Sequence, residues 1–144
     1  MPHISQKKIN DKDFSKIYDQ LISFFDTAGS QRRSDILLRE FLTETEKIMF
    51  AKRLSALCLI DDSVSEHYIS YILGVSPSTV SRITLSYEQG RFPYISNIIA
   101  KNKQSIWDVL EGAVRSSMES YSGPKRWKWL EEIERKYKRK ILKD

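Results

Sequence analysis

The sequence predicts an all-α fold, and three observations support this prediction. Only five Gly and four Pro occur in 144 residues, which favours long helices over a sheet with many hairpins. Apolar residues recur at intervals of three and four along most of the chain. A capping box and a Ser-Pro pair are typical of helix starts. The length is that of one ordinary domain with a core of its own.

Composition places the chain among globular proteins. Hydrophobic residues make up 40% and charged residues 30%. The single cysteine, Cys58, cannot form an internal disulfide. It lies on the apolar stripe of a predicted helix, so we expect it to be a buried core residue. We find neither a signal peptide nor an apolar run long enough for a bilayer, so we expect a cytoplasmic protein without a membrane partner. The net charge of +5 is compatible with a polyanionic partner, or with solubility alone.

Three helices are predicted in the first half of the chain. The first runs from a cap at Asp11 or Asp13 to Gly29, and the second starts at Ser30 or Ser34. Their apolar positions are Phe14, Ile17, Tyr18, Leu21, Ile22, Phe24, Phe25, Ile36, Leu37, Leu38 and Phe41.

The third helix has the clearest start. Thr43 and Glu46 form a capping box, in which the hydroxyl accepts from the first turn and the carboxylate reaches back to the Thr43 amide. The helix should run to Asp61, and its wide apolar stripe predicts that it is the central core helix. That stripe is Ile48, Met49, Phe50, Leu54, Leu57, Cys58 and Ile60.

Two short helices follow, and together they predict a helix-turn-helix over residues 65–86. Ser65 caps the first and Gly74, which tolerates positive φ, ends it. Ser76 caps the second, and Pro77 occupies its first position. The small residue needed where the helices cross is Ser70, and the facing apolar positions are Ile69, Leu73, Val75, Val80 and Ile83. The alternative is an ordinary helical hairpin inside an all-α domain.

A helix-turn-helix places the start of its second helix at the base edges of the major groove. The residues there are Ser76, Ser78, Thr79, Ser81 and Arg82. Hydroxyls bind phosphates or base edges, and arginine pairs with guanine or holds a phosphate, although a cap and an ion pair are simpler roles for Ser76 and Arg82. Residues 65–91 contain only two basic residues, so phosphate contacts must also come from elsewhere, with Lys52, Arg53, Arg32, Arg33 and the C-terminal helix as candidates.

Residues 1–94 are predicted as the DNA-binding domain and residues 95–144 as a helical C-terminal extension. The extension should be helical over 95–121, break at Ser122–Pro124, and end in a charged helix over 125–144. That last segment holds nine Lys and Arg against four Asp and Glu, with Trp127, Trp129 and Tyr137 interleaved. A clamp on the DNA backbone suits this pattern, and so does a packing helix with a solvated outer face, which is slightly favoured. A membrane-surface helix is the third alternative, but the segment lacks a clean, continuous apolar face.

The stretches LTETEKIMFAKRL (42–54) and SEHYISYILGVSPSTVSRI (65–83) resemble the Trp repressor superfamily, especially its branch of short regulators. The resemblance covers roughly residues 36–92. It implies an all-α fold in which the N-terminal helices of two chains interlock into a dimer. It also implies operator binding by the helix that begins at Ser76.

The same resemblance bears on a small-molecule effector. The family holds its corepressor with a threonine and two arginines, and Thr43, Arg53 and Arg82 occupy those positions. The family pocket also uses a glycine directly after the second arginine, where this chain has Ile83, whose side chain would fill the slot. We therefore do not expect this protein to bind tryptophan.

The sequence contains no metal-ligand spacing, nucleophile–base pair or glycine-rich phosphate loop, so we expect neither an enzyme, nor a metal, nor a cofactor. The predicted function is that of a homodimeric, sequence-specific regulator, such as a repressor, that binds double-stranded DNA. Two alternatives stay open. One is a helical module for protein–protein interaction, which the sparse charge of residues 65–91 favours; the other is a repressor with an effector between Arg53 and Arg82.

Overall fold

The computed structural model describes residues 9–102, 108, 110–113, 115, 116, 131 and 135. Within this part of the chain all regular structure is helical, so the predicted all-α class is confirmed at that level. No helix among these residues is long and apolar enough to cross a membrane. The helices with defined bounds are α1 (Asp11–Ser30), α2 (Ser34–Phe41), α3 (Glu44–Asp61), α4 (Glu66–Leu73), α5 (Pro77–Glu88) and α6 (Pro93–Lys101).

The chain divides into two compact units, Met1–Met49 and Phe50–Asp144, and the boundary falls inside α3. In the first unit, the Asn10 side chain caps α1 by accepting from the Lys12 amide at 2.8 Å, so the predicted caps at Asp11 or Asp13 are wrong. Both aspartates lie in the first turn instead, where their charge suits the positive end of the helix.

The predicted end of α1 is also wrong, because the helix continues through Gly29 to Ser30. The left-handed residue that turns the chain is Arg32, at φ 55°, and the Arg33 amide closes the turn on the Ala28 carbonyl at 2.7 Å. The second helix then starts at Ser34, one of the two predicted positions.

The first unit leaves its apolar face uncovered. α1 and α2 pack against each other, yet none of the residues of Asp11–Ser30 or Ser34–Phe41 is buried. The large apolar side chains exposed in α1, α2 and the start of α3 are Phe14, Ile17, Tyr18, Ile22, Phe24, Ile36, Leu38, Phe41, Ile48 and Met49.

The start of α3 follows the predicted capping box. The Thr43 amide donates to the Glu46 carboxylate at 2.9 Å, and the Glu46 amide donates to the Thr43 hydroxyl at 3.3 Å. The prediction of a central core helix holds only for the second half of α3. Its buried residues are Ala56, Leu57, Cys58 and Leu59, whereas Phe50 and Leu54 are exposed.

The core lies in the second unit, where the end of α3 meets side chains of α4, α5 and α6. Its buried members are Ala56, Leu57, Cys58, Leu59, Val64, Ile69, Ile72, Val80, Ile83 and Ile99. The Tyr87 hydroxyl donates to Asp61 Oδ1 at 2.5 Å and so links the end of α5 to the end of α3.

The C-terminal extension departs from its predicted continuity at Asn102, where α6 ends. The described residues 108, 110–113, 115 and 116 are helical, in agreement with the helix expected over residues 95–121. The proposed clamp over residues 125–144 lies outside the described residues, apart from Glu131 and Arg135.

Candidate nucleic-acid interface

The turn between α4 and α5 is held by its own hydrogen bonds. Gly74 adopts a left-handed conformation, with φ 56° and ψ 47°, and its amide donates to the carbonyls of Ser70 and Tyr71. The Ser70 hydroxyl donates to the Val75 carbonyl at 2.6 Å. Ser70 is therefore more than the small residue expected where the helices cross, because it also ties α4 to the first residue after the turn.

Apolar residues join α4 to α5 below this turn. Ile69 and Val80 are fully buried, and Ile83 is 9% exposed. Leu73 and Val75 are partly buried and pack against the same cluster. The five positions expected to face the partner helix thus all contribute to the core of the second unit. Packing on this side fixes which side of α5 remains exposed.

A cluster of hydroxyl groups forms the start of α5. The Ser76 hydroxyl accepts from the Thr79 amide at 3.3 Å, which makes Ser76 the cap of the helix. The same oxygen lies 2.8 Å from Thr79 Oγ1 and 3.3 Å from Ser78 Oγ. Pro77 occupies the first helical position, where its missing amide leaves no carbonyl unpaired. The Ser76 oxygen is therefore the shared hydrogen-bond partner of the other two hydroxyls and of the Thr79 amide.

The outward face of α5 carries Ser78, Ser81 and Arg82, all of which are exposed. Arg82 Nε donates to the Ser78 carbonyl at 3.2 Å. A guanidinium has five N–H groups, so this bond orients the side chain and leaves its terminal amino groups to bind a ligand.

Two further residues share this face, and the sequence reasoning missed both. Leu85 is 55% exposed and lies one turn after Ser81 and Arg82, so its helical spacing could have identified it. Glu66, in the first turn of α4, accepts from the Ser81 hydroxyl at 2.5 Å. The two residues of that pair are 15 positions apart, and only the crossing of the helices brings them together.

The predicted phosphate contacts on α3 have different surroundings. Lys52 is partly buried, and its ammonium donates to the Gly74 carbonyl at 3.3 Å, across the turn of the α4–α5 pair. Arg53 is exposed. Lys52 thus stabilises the turn between α4 and α5, whereas Arg53, the next residue of α3, faces solvent.

The three residues expected to hold an effector lie in different units. Thr43 belongs to the first unit, and its hydroxyl is 2.8 Å from the Glu46 carboxylate. Arg53 and Arg82 belong to the second unit, on α3 and α5. Ile83 lies in the core of that unit, so its side chain is occupied with packing.

A scan against protein-family models, a search of the curated proteins and a search of the solved structures found no match to this chain. We therefore compare the dimensions of α5 with those of the DNA major groove. Its 12 residues form a rod about 18 Å long, at roughly 1.5 Å per residue. An α-helix with side chains is roughly 10–12 Å across, about the width of the DNA major groove.

Proposed function

We propose that this protein is a sequence-specific regulator of transcription that binds double-stranded DNA with α4 and α5 as a helix-turn-helix. The observation that supports this proposal most is the division of α5 into two sides. One side is buried with Val80 and Ile83, and the other exposes Ser78, Ser81 and Arg82. A helix whose apolar side is packed against the core and whose opposite side exposes hydroxyl and guanidinium groups suits insertion into a major groove.

Each exposed group has a role in that groove. The Arg82 amino groups donate to guanine O6 and N7, which is the commonest specific contact to a base. The Thr79 methyl group or Leu85 packs on a thymine methyl, and Ser78 bonds a phosphate or a base edge. Within the second unit, the exposed Arg53 supplies charge for the DNA backbone.

The protein acts as a homodimer in this proposal, with the first unit as its dimerisation region. Monomeric proteins rarely expose a large continuous apolar surface, so we expect the exposed apolar side chains of α1 and α2 to be buried in an interface. A second copy with the same surface provides one, as in the interlocked dimers of the Trp repressor superfamily that the sequence resembles. Two copies then offer two α5 helices to two half-sites about one DNA turn apart.

The test is selection of bound sequences from a random pool of duplexes, followed by anisotropy titrations at several salt concentrations. We expect a palindromic consensus that Thr79→Ala and Arg82→Ala alter. Each loss of a good base contact costs about 1–3 kcal/mol of discrimination. The matched controls are Thr27→Ala on α1 and Arg39→Ala on α2, which should leave the consensus unchanged. A wild-type protein that binds every duplex equally, or binds none at low salt, contradicts the proposal.

One observation favours a second candidate, a helical module that binds another protein. The Glu66 carboxylate lies at the exposed face of α5, and residues 65–91 carry two acidic residues against two basic ones. A neutral surface of this kind attracts polyanions weakly. The selection experiment separates the two functions, because an interaction module shows no enrichment of any DNA sequence.

A further inference from the structure

The hydrogen bond between Ser81 and Glu66 determines what this part of α5 can offer to a ligand. A serine hydroxyl has one hydrogen, and Ser81 donates it to Glu66 Oε2 at 2.5 Å. An ionised carboxylate only accepts hydrogen bonds, and it has about four acceptor positions, of which Ser81 uses one. The pair therefore presents only acceptors, in contrast to the donors that Arg82 presents beside it.

Acceptors of this kind cannot bind a phosphate, because phosphate oxygens carry negative charge and offer no hydrogen. In the major groove only two bases offer a donor, namely cytosine through its N4 amino group and adenine through its N6 amino group. Adenine places the N7 lone pair next to that donor, which repels a carboxylate. Cytosine presents its amino group without a neighbouring acceptor, so it suits the carboxylate better.

On the basis of the DNA-binding function proposed above, we propose that Glu66 and Ser81 form a specificity-determining pair that reads a cytosine in each half-site. Glu66 accepts from the cytosine N4 amino group, and Ser81 holds the carboxylate at the face of α5. The pair would also reduce the affinity for DNA in general, because the carboxylate approaches the phosphates of any duplex. A residue of α4 thus contributes to base recognition by α5.

The decisive variant is Glu66→Gln, which keeps the size of the side chain and an oxygen that can accept from Ser81. Glutamine adds a donor, and the pair of an acceptor and a donor matches adenine N6 and N7. We expect the selected consensus to change from cytosine to adenine at one position of each half-site. The preference for cytosine at that position should fall roughly fivefold or more. Binding to duplexes of unrelated sequence should become tighter.

Glu88→Gln is the matched control, since it removes the same charge from an exposed position at the end of α5. It should tighten binding to any duplex slightly and leave the consensus unchanged. Ser81→Ala provides a second measurement at an exposed residue, where a loss of folding is not expected. It should weaken the cytosine preference without creating one for adenine. Far-UV circular dichroism and thermal unfolding confirm that each variant is folded.

Three results would overturn this inference. The first is a Glu66→Gln consensus identical to that of the wild-type protein. The second is a wild-type consensus in which no position of the half-site is cytosine. In both cases the DNA-binding function itself survives, because the wild-type protein still selects a sequence. A wild-type protein that selects nothing and binds no duplex at low salt overturns the proposed function and this inference together.

Discussion

The contacts that each polar side chain already makes limit what it can offer to a partner. Ser76 caps α5 and Ser70 holds the turn, so both hydroxyls already make hydrogen bonds that stabilise the fold. Arg82 keeps its amino groups available, because only Nε is used within α5. Lys52 and Arg53 differ in the same way, since only Lys52 donates to the Gly74 carbonyl. Neighbouring cations can therefore have different roles.

Lys52 and Arg53 allow a direct comparison of these roles. Lys52→Met should lower stability by about 1 kcal/mol, since the carbonyl of Gly74 loses a donor, and should leave the salt dependence of DNA binding unchanged. Arg53→Met should leave stability within about 0.5 kcal/mol and reduce the slope of log K against log salt by about 0.9 per subunit. Urea unfolding and anisotropy titrations measure both quantities. A reduced slope for Lys52→Met would assign it to a phosphate instead.

Glu46 predicts a pH dependence of stability. The backbone amide and the hydroxyl of Thr43 hold the pKa of Glu46 below its ordinary value of 4.5. A carboxyl whose pKa is lower in the folded state contributes stability above its unfolded pKa, and this contribution is lost as pH falls through the folded value. Glu46→Gln does not titrate, so the Tm difference between wild type and this variant should shrink from pH 7 to pH 3.

The control for this titration is Thr45→Ala, an exposed change in the first turn of α3 that removes no titrating group. Its Tm difference from wild type should stay nearly constant over the same pH range. A wild-type advantage over Glu46→Gln that persists at pH 3 would show that the carboxylate charge is not what the Thr43 amide recognises.

At the scale of elements, the function proposed here depends on the angle between α4 and α5. That angle is set by the left-handed turn at Gly74, by the Ser70 bond to the Val75 carbonyl, and by burial of Ile69 and Val80. The exposed face of α5 consequently belongs to a helix that packs against α4 and not to a loop.

Gly74→Ala tests the turn. The new Cβ would lie 3.7 Å from Lys52 Nζ, an ordinary contact, so the cost comes from the backbone at φ +56°. We expect a loss of about 1–2 kcal/mol, because alanine is strained in the left-handed region. Gly29→Ala, inside α1 with its nearest atom at 3.9 Å, should instead be neutral or gain up to about 1 kcal/mol. Equal losses for both variants in urea unfolding would contradict this explanation.

At the scale of the whole molecule, the two units differ in how far their apolar side chains are buried. The second unit encloses a core, whereas the first unit exposes Phe14, Phe24 and Phe41 at 55% or more. An exposed phenylalanine on a helix is unremarkable by itself, but exposed apolar side chains at helical spacing, such as Phe14, Tyr18 and Ile22 on α1, indicate a surface for association. Self-association is the simplest way to cover a surface that every copy carries.

Sedimentation should therefore find a species of twice 16.9 kDa. Phe24→Asp should weaken its association by about 2 kcal/mol or more, because aromatic anchors dominate such interfaces and a buried carboxylate is costly. Tyr94→Asp is the control, since Tyr94 is 75% exposed and belongs to the second unit, and it should leave the association unchanged. A wild-type protein that sediments as a monomer at all concentrations would refute the dimer.

The sequence by itself determined the features that depend on near neighbours in the chain. The Thr43–Glu46 capping box, the Ser76 cap and the left-handed Gly74 were all predictable, because their hydrogen bonds span only a few residues. The same local reasoning failed at Gly29, where α1 continued and the positive φ fell on Arg32. A glycine permits a helix to end but does not require it.

Only the tertiary structure decided which side chains meet across the fold. Lys52 reaches the Gly74 carbonyl over 22 positions, and Ser81 reaches Glu66 over 15. Helical spacing predicted the apolar faces of α1 and α3, yet it could not tell whether either face was covered. Periodicity reports which side of a helix is apolar, whereas burial depends on whether another surface packs there. The exposed apolar side chains of the N-terminal unit are therefore a result that only the tertiary structure provides.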